Sequence, residues 1–528
     1  MLRLLVILAA WAVGNAAVAG PDSLRLQSTG EGVTAEYHLQ APTLRFEFDG
    51  PLPVEARVTV IEDGVSFAAD AVTFDRPLTV FSLLVRPDRV RVDARYPVVS
   101  RLGEGWMIHV PSLLGQAGPH LSDVTIEPGP GWILIPGPGS EPLNGFVYVG
   151  PDRPGSSGGT KAISDPALPD WLVADSQAAL DSSAAFYAAG LNIVPPGEPV
   201  LFVGALPEED RRIYVGDVTP NGVINLQFAT HMLPPERDRR FIDLVVPFVA
   251  HETFHVWQGD RYREVDGVNG RWLTEGGAEY FSLLAQSAVS PAAADRSREV
   301  LAQRLGRCLS RMDAQTGGLV NLAESEAEAT RYDCGTVSQW LADLQMSGSG
   351  GLFALWRHLL TLPDGYGVED FRSSLSEHPA QGATGQAALL DGAADIRRAV
   401  IAALSSLGVD VEIADPGPWS WANAALWPLL QSNCSGMRGI AGDNGRFTLD
   451  TGDRCGPLSG DMEAVAIAGH RFDTAGAAAF HAVEVACSSQ DEVAVNLLDG
   501  ETARTVSVSC DQPSPPPELA YRIVAVPD

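Results

Sequence analysis

Two histidines and three of the four glutamates between residues 251 and 279 are of the types and spacing that do metal-assisted chemistry. His251-Glu252-Thr253-Phe254-His255 reads H-E-x-x-H. Glu275 follows in Trp272-Leu273-Thr274-Glu275-Gly276, with nineteen residues (256–274) between it and His255. Residues four apart share one face of a helix, so His251 and His255 can hold one metal ion together. One Zn2+ suits two imidazoles and a carboxylate, with the fourth position left to water. Glu252, between the histidines, can take a proton from that water. This pattern points to hydrolysis and says little about the substrate. Glu279 lies one turn beyond Glu275 on the same face, and either could be the third ligand. The Trp-Leu-x-Glu-Gly setting favours Glu275, which leaves Glu279 to hold the free N–H of one histidine.

These residues need two helices to present them. Leu244, Val245, Phe248, Val249 and Trp257 recur at helical spacing, which predicts a helix over Ile242–Gln258, and a second follows over 272–288. Further helices are predicted over Trp171–Leu191, 293–312, 334–346, 352–361 and 386–406, with strands at Pro199–Leu206 and Gly222–Phe228. Residues 20 to about 160 alternate instead, as in Thr34–Leu39, Arg45–Phe48, Ala56–Val60 and Arg89–Val92, with Pro and Gly between the runs. The Pro- and Gly-rich stretch Pro128–Ser140 lacks a following Gly-Lys-Ser/Thr and reads as turns around a short strand. After about 410 short strands return at 460–469, 492–497 and 503–508, around a helix-like stretch at Ala475–Phe480. Pro513–Pro517 is a stiff spacer. His358 and His481 read as a helix-face and a strand histidine. The class is a multidomain α+β protein. Its segments are a β-sandwich-like domain over 20–160, a mostly helical catalytic domain over 161–410, and a small β-rich domain over 411–528.

Residues 1–19 read as a signal peptide, with Arg3, the apolar run Leu4–Val13 and the small-residue site Ala17-Val18-Ala19. The expected location is therefore periplasmic or extracellular, with no stable membrane insertion after cleavage. The formal net charge is −30, and Lys161 is the single lysine. Such a surface argues against nucleic acid, because phosphate binding needs a basic face. Six cysteines in an exported chain favour disulfides, and sequence order suggests Cys308–Cys334, Cys434–Cys455 and Cys487–Cys510. Asn433-Cys434-Ser435 is a formal glycosylation sequon that reads more simply as a turn.

His251 through Asp260, taken with Trp272 through Tyr280, resembles the gluzincin metallopeptidases, and is similar to both the aminopeptidase N and the glycyl aminopeptidase families. The spacing from His255 to Glu275 is one residue more than is usual in the first, and His-Glu-x-Phe-His-x-Trp is closer to the second. The resemblance covers about 165–400. It implies a thermolysin-like catalytic domain, a zinc cofactor, and a peptide or protein substrate. It also implies a catalytic tyrosine in a Tyr-x-Lys-Gly motif. Here Arg331-Tyr332-Asp333-Cys334-Gly335 stands at a similar distance, so Tyr332 matches that tyrosine while Cys334 replaces the lysine. Such a phenol would donate to a developing oxyanion, and a bond from Cys334 to Cys308 would help to fix it. Aminopeptidase N relatives also carry a glutamate for the substrate amine on a strand before the zinc helix. Gly222–Phe228, taken as that strand, has no carboxylate, which favours endopeptidase action or an unusual exopeptidase. The C-terminal segment resembles the second half of a PDZ domain, which captures extended peptide termini. The resulting expectation is an exported zinc peptidase with Glu252 as general base. The rival is a noncatalytic peptide- or protein-binding protein on the same scaffold.

Overall fold

The computed structural model describes residues 22–526 apart from short segments, the longest of them 88–97. The leader read at 1–19 and the alternating run Arg89–Val92 lie outside the described residues. The chain forms two compact units, 1–260 and 261–528.

The first unit opens with β1 (Asp22–Thr29), β2 (Gly32–Glu47), β3 (Val58–Val60), β4 (Val65–Ala68), β5 (Ala71–Val85), β6 (Val99–Leu102), β7 (Gly105–His109), β8 (Leu121–Glu127), β9 (Trp132–Ile135) and β10 (Phe146–Pro151). One sheet runs β3-β5-β2-β1-β8 with β4 beside β5, and another runs β6-β7-β10-β9. Leu24, Val33, Tyr37 and Phe81 of the first share a core with Trp106, Ile108, Val147 and Val149 of the second. That is the sandwich packing expected from the alternation. Met107, Phe146 and Tyr148, on the opposite face of the second sheet, pack on Val200, Phe202 and Val223. Strand β10 is therefore buried on both faces, which explains its unbroken run Phe146-Val147-Tyr148-Val149. The two runs at Thr34–Leu39 and Arg45–Phe48 belong largely to one long strand, β2, whose pairing with β5 shifts register between His38 and Arg45.

The rest of this unit carries the helix with the H-E-x-x-H motif. Strands β11 (Lys161–Ser164), β12 (Val200–Ala205), β13 (Tyr214–Val218) and β14 (Val223–Phe228) are ordered β11-β12-β14-β13. The first three are parallel, and β13 runs antiparallel. Helices α1 (Asp170–Leu191) and α2 (Arg239–Gln258) complete it. Strand β14 lies inside the sheet, between β12 and β13. The turn at Thr219–Gly222 reverses the chain, with Gly222 at φ +82° donating its N–H to the Thr219 carbonyl at 2.9 Å. The edges are β11 and β13, and β13 carries Asp217.

The second unit begins with α3 (Arg271–Ser287), α4 (Pro291–Asp313), α5 (Glu328–Gln345), α6 (Gly351–Thr361), α7 (Val368–Ser376), α8 (Ala383–Asp391) and α9 (Ile396–Ser406). Helix α5 starts six residues before the predicted 334, so Tyr332 lies inside it. The stretch 386–406 is two helices, not one. Gly392 at φ +86° ends α8, and the Asp395 side chain accepts from the Arg398 N–H to start α9.

After β15 (Asp410–Ala414) come α10 (Gly417–Asn433), β16 (Gly439–Asp443), β17 (Arg446–Asp450), β18 (Met462–Ile467), β19 (His470–Arg471), α11 (Phe472–Ser489), β20 (Glu492–Asp499), β21 (Thr502–Ser509) and β22 (Ala520–Ala525). The sheet β16-β17-β18-β20-β21 shares a core with α10 and α11. Helix α10 was not expected. Its Pro418 sits in the first turn, where a missing N–H costs little, and Pro428 interrupts its pattern further on. His481 lies on α11 rather than on a strand. All three nearest-neighbour disulfides form: Cys308–Cys334, Cys434–Cys455 and Cys487–Cys510. Beyond the proline spacer, β22 returns to pair with β15. Among the described residues no helix is long and apolar enough to cross a membrane.

Candidate metal centre

Helix α2 presents His251 and His255 because its opposite side is anchored. Val245, Val249, Phe254 and Trp257 are buried. Tyr187 of α1 donates its hydroxyl to the Ala250 carbonyl at 2.9 Å and meets Phe254 and Trp257 edge-on. Phe248 lies so close to Gly216 of β13 that a Cβ there would stand 2.2 Å from its ring. The edge strand and the helix are thereby held in close contact. Gly259, in the left-handed region, ends α2 with an N–H donated to the His255 carbonyl at 2.8 Å.

The two imidazoles face each other, with Nε2 atoms 3.0 Å apart. His255 Nδ1 lies 2.5 Å from Gln258 Oε1. An amide oxygen only accepts, so the proton sits on Nδ1 and the Nε2 lone pair is left for a metal. One ligand atom each from His251, His255 and Glu275 lie within 4.8 Å of one another. Two nitrogen donors and one carboxylate oxygen at that span fit the donor set of a catalytic zinc ion. Glu252 is buried beside them on α2.

In the second unit, Glu275 stands on α3, whose Gly276 touches Gly335 of α5 with no room for a Cβ on either side. Tyr332 is one turn before Gly335 on α5. With Arg304, Arg307, Arg311, Ala329 and Asp333 it lines a cavity of about 450 Å³. Glu279 accepts from Arg304 Nη2 at 2.8 Å. Burial raises the Tyr366 phenol far above its ordinary range, and Tyr262 and Glu275 add to the effect, so it stays neutral near the carboxylate of Glu275. Burial alone would raise the Asp333 carboxyl, but Arg307, Arg304 and Arg311 outweigh it and hold it below the usual aspartate range.

The sequence brings out the three clustered side chains and Glu252 but not Gln258, Arg304 or Asp333. Gln258 is three residues beyond His255 and so on its face, a spacing that is visible in the sequence. The arginines 304, 307 and 311 also carry helical spacing, but their common partner lies on another helix.

No sequence family matches this chain, and no curated protein is significantly similar to it in sequence. Its structure superposes on the crystal structure of an aminopeptidase N family protein from Idiomarina loihiensis with a TM-score of 0.58 at 11% identity, covering 96% of this chain and 98% of that one. Two looser superpositions fall on a two-domain M1 zinc metallopeptidase bound to L-arginine (TM-score 0.34, 15% identity, 74% of this chain and 93% of that one) and on yeast LTA4 hydrolase in complex with bestatin (TM-score 0.39, 14% identity, 67% and 64%). The architecture is shared with the aminopeptidase N family protein over nearly the whole of both chains.

Proposed function

We propose that the chain is an exported zinc-dependent peptidase. The observation that carries this reading is the convergence of His251, His255 and Glu275 beside the buried Glu252. Those three residues would hold one zinc ion, which when bound polarises the scissile carbonyl and acidifies a water. Glu252 takes the water proton and hands it to the leaving amine. Tyr332 donates its phenol O–H to the carbonyl oxygen as negative charge develops there. Gln258 keeps His255 in the tautomer that leaves Nε2 free. Glu279 supports the site from the next turn of α3. Export is supported by the N-terminal segment and the disulfides. An extended peptide can pair its backbone with the edge strand β13, and Asp217 there supplies a carboxylate that β14 lacks. We read 161–410 as the catalytic domain and 411–528 as PDZ-like, with the edge strands β16 and β21 open to a peptide.

The test is digestion of a peptide library by the zinc-loaded chain, read by mass spectrometry, beside Glu252→Gln. Cleavage should fall about 10²–10⁴-fold in the variant with zinc retained. A digest as complete with Glu252→Gln as without it, or no cleavage by the unaltered chain, would refute the assignment.

A further inference from the structure

One charged cluster joins three helices of the second unit. Arg304, Arg307 and Arg311 lie three and four residues apart on one face of α4. All three donate to Asp333 of α5. Arg304 Nη1 reaches Oδ1 at 2.9 Å, Arg307 Nη2 reaches it at 3.0 Å, and Arg311 Nη1 binds Oδ2. The Asp333 side chain is only 2% exposed, so this partnership sits in a low dielectric and holds its geometry. Arg311 also pairs with Glu518 at 3.5 Å. Three guanidinium groups thus face three carboxylates, Asp333, Glu279 and Glu518. The cluster neutralises itself, which argues for a structural linkage rather than an anion site.

Arg304 differs from its neighbours. Its other arm, Nη2, holds Glu279 of α3 at 2.8 Å. Among the described residues, Arg307 and Arg311 tie α4 to α5 and the tail, and the Cys308–Cys334 bond also ties α4 to α5. Only Arg304 of this set adds α3. Its planar fork spans one carboxylate adjacent to Tyr332 in the chain and another one turn beyond Glu275. A lysine, as a point charge, cannot hold both in one geometry. The helices it bridges touch glycine to glycine, where a Cβ on Gly335 would lie 2.3 Å from the Trp272 carbonyl oxygen. At such a contact a small slide of one helix moves everything it carries.

We propose that Arg304 is a positioning residue that fixes α3 and α5 in register, so that Glu275 and Tyr332 address the same reacting group. This rests on the peptidase reading above. Arg304→Ala is compared with Arg307→Ala, which also removes an Asp333 partner but leaves Glu279 untouched. Two quantities are read: zinc affinity by chelator competition, and kcat and KM on a peptide substrate. Arg304→Ala should weaken zinc binding about tenfold, as loss of a group behind the metal ligands does, and lower kcat at least tenfold with KM within twofold. Arg307→Ala should move neither by more than about threefold. Should Arg304→Ala fail to fold, Arg304→Lys takes its place, with at least a fivefold fall in kcat expected. Equal effects from the Arg304 and Arg307 variants, or an Arg304 variant that keeps both zinc affinity and kcat, would overturn the proposal. If the unaltered chain binds zinc but cleaves nothing, the peptidase reading fails, while the difference in zinc affinity still decides the role of Arg304.

Discussion

Gln258 offers a sharp test of whether His255 is prepared to hold a metal. It is buried, and its Oε1 accepts the His255 Nδ1 proton at 2.5 Å. With zinc on Nε2, that proton must stay on Nδ1. Without zinc, it can move to Nε2 and leave Nδ1 as an acceptor. Removing the Gln258 oxygen therefore harms the zinc-bound state more than the free one. A net intramolecular hydrogen bond contributes about 0.5–1.5 kcal/mol, and an unpaired buried donor costs about 1–3 kcal/mol. The first figure alone weakens zinc by up to about tenfold at roughly 1.4 kcal/mol per factor of ten. The second carries it toward the hundredfold upper end seen when groups behind metal ligands are lost. Gln258→Leu, close in size but without an acceptor, should thus raise the zinc Kd about 10–100-fold in competition with a chromogenic chelator. Gln258→Glu keeps an acceptor and should bind zinc at least as tightly as the unaltered chain. A Gln258→Leu Kd within twofold of the unaltered chain, or an equal loss in Gln258→Glu, would refute the tautomer argument.

Two further outcomes follow from the second unit. Tyr332→Phe removes a single oxyanion donor and should lower kcat about 10²–10³-fold with zinc content unchanged; steady-state kinetics within threefold of the unaltered chain would remove Tyr332 from the chemistry. Asp333→Asn leaves three arginines facing a neutral amide and should cost about 3 kcal/mol in urea unfolding at neutral pH. Because the folded Asp333 carboxyl titrates below its unfolded value of about 4, its contribution is fully present above that value and is lost as pH falls through the lower, folded one. The stability gap between the two chains should therefore narrow below pH about 4, and a gap that stays constant into acid would contradict the ion-pair account.

What was legible in the sequence is what depends on near neighbours. His251 and His255 share a face because a helix repeats every 3.6 residues, and α2 was readable from its apolar period. The disulfides join the cysteines closest in sequence. The alternation over residues 20–160 gave the sandwich. Features fixed by distant partners were not legible. Strand β13 becomes a sheet edge only because the turn before Gly222 folds it back on β14, which leaves Gly222–Phe228 inside the sheet and Tyr214–Val218 at its edge. Helix α10 carries two prolines that hide its period, yet its apolar face is needed by the C-terminal core. Arg304 looks like any exposed helical arginine until Glu279 and Asp333 are placed on either side of it.

The centre itself is tested most directly by anomalous diffraction at the zinc absorption edge from crystals of the zinc-loaded chain. The expected result is one peak bonded to His251 Nε2, His255 Nε2 and a Glu275 oxygen at about 2.0–2.2 Å. A zinc ion bound elsewhere, with these three side chains turned away from it, would contradict the assignment on which the proposed hydrolysis depends.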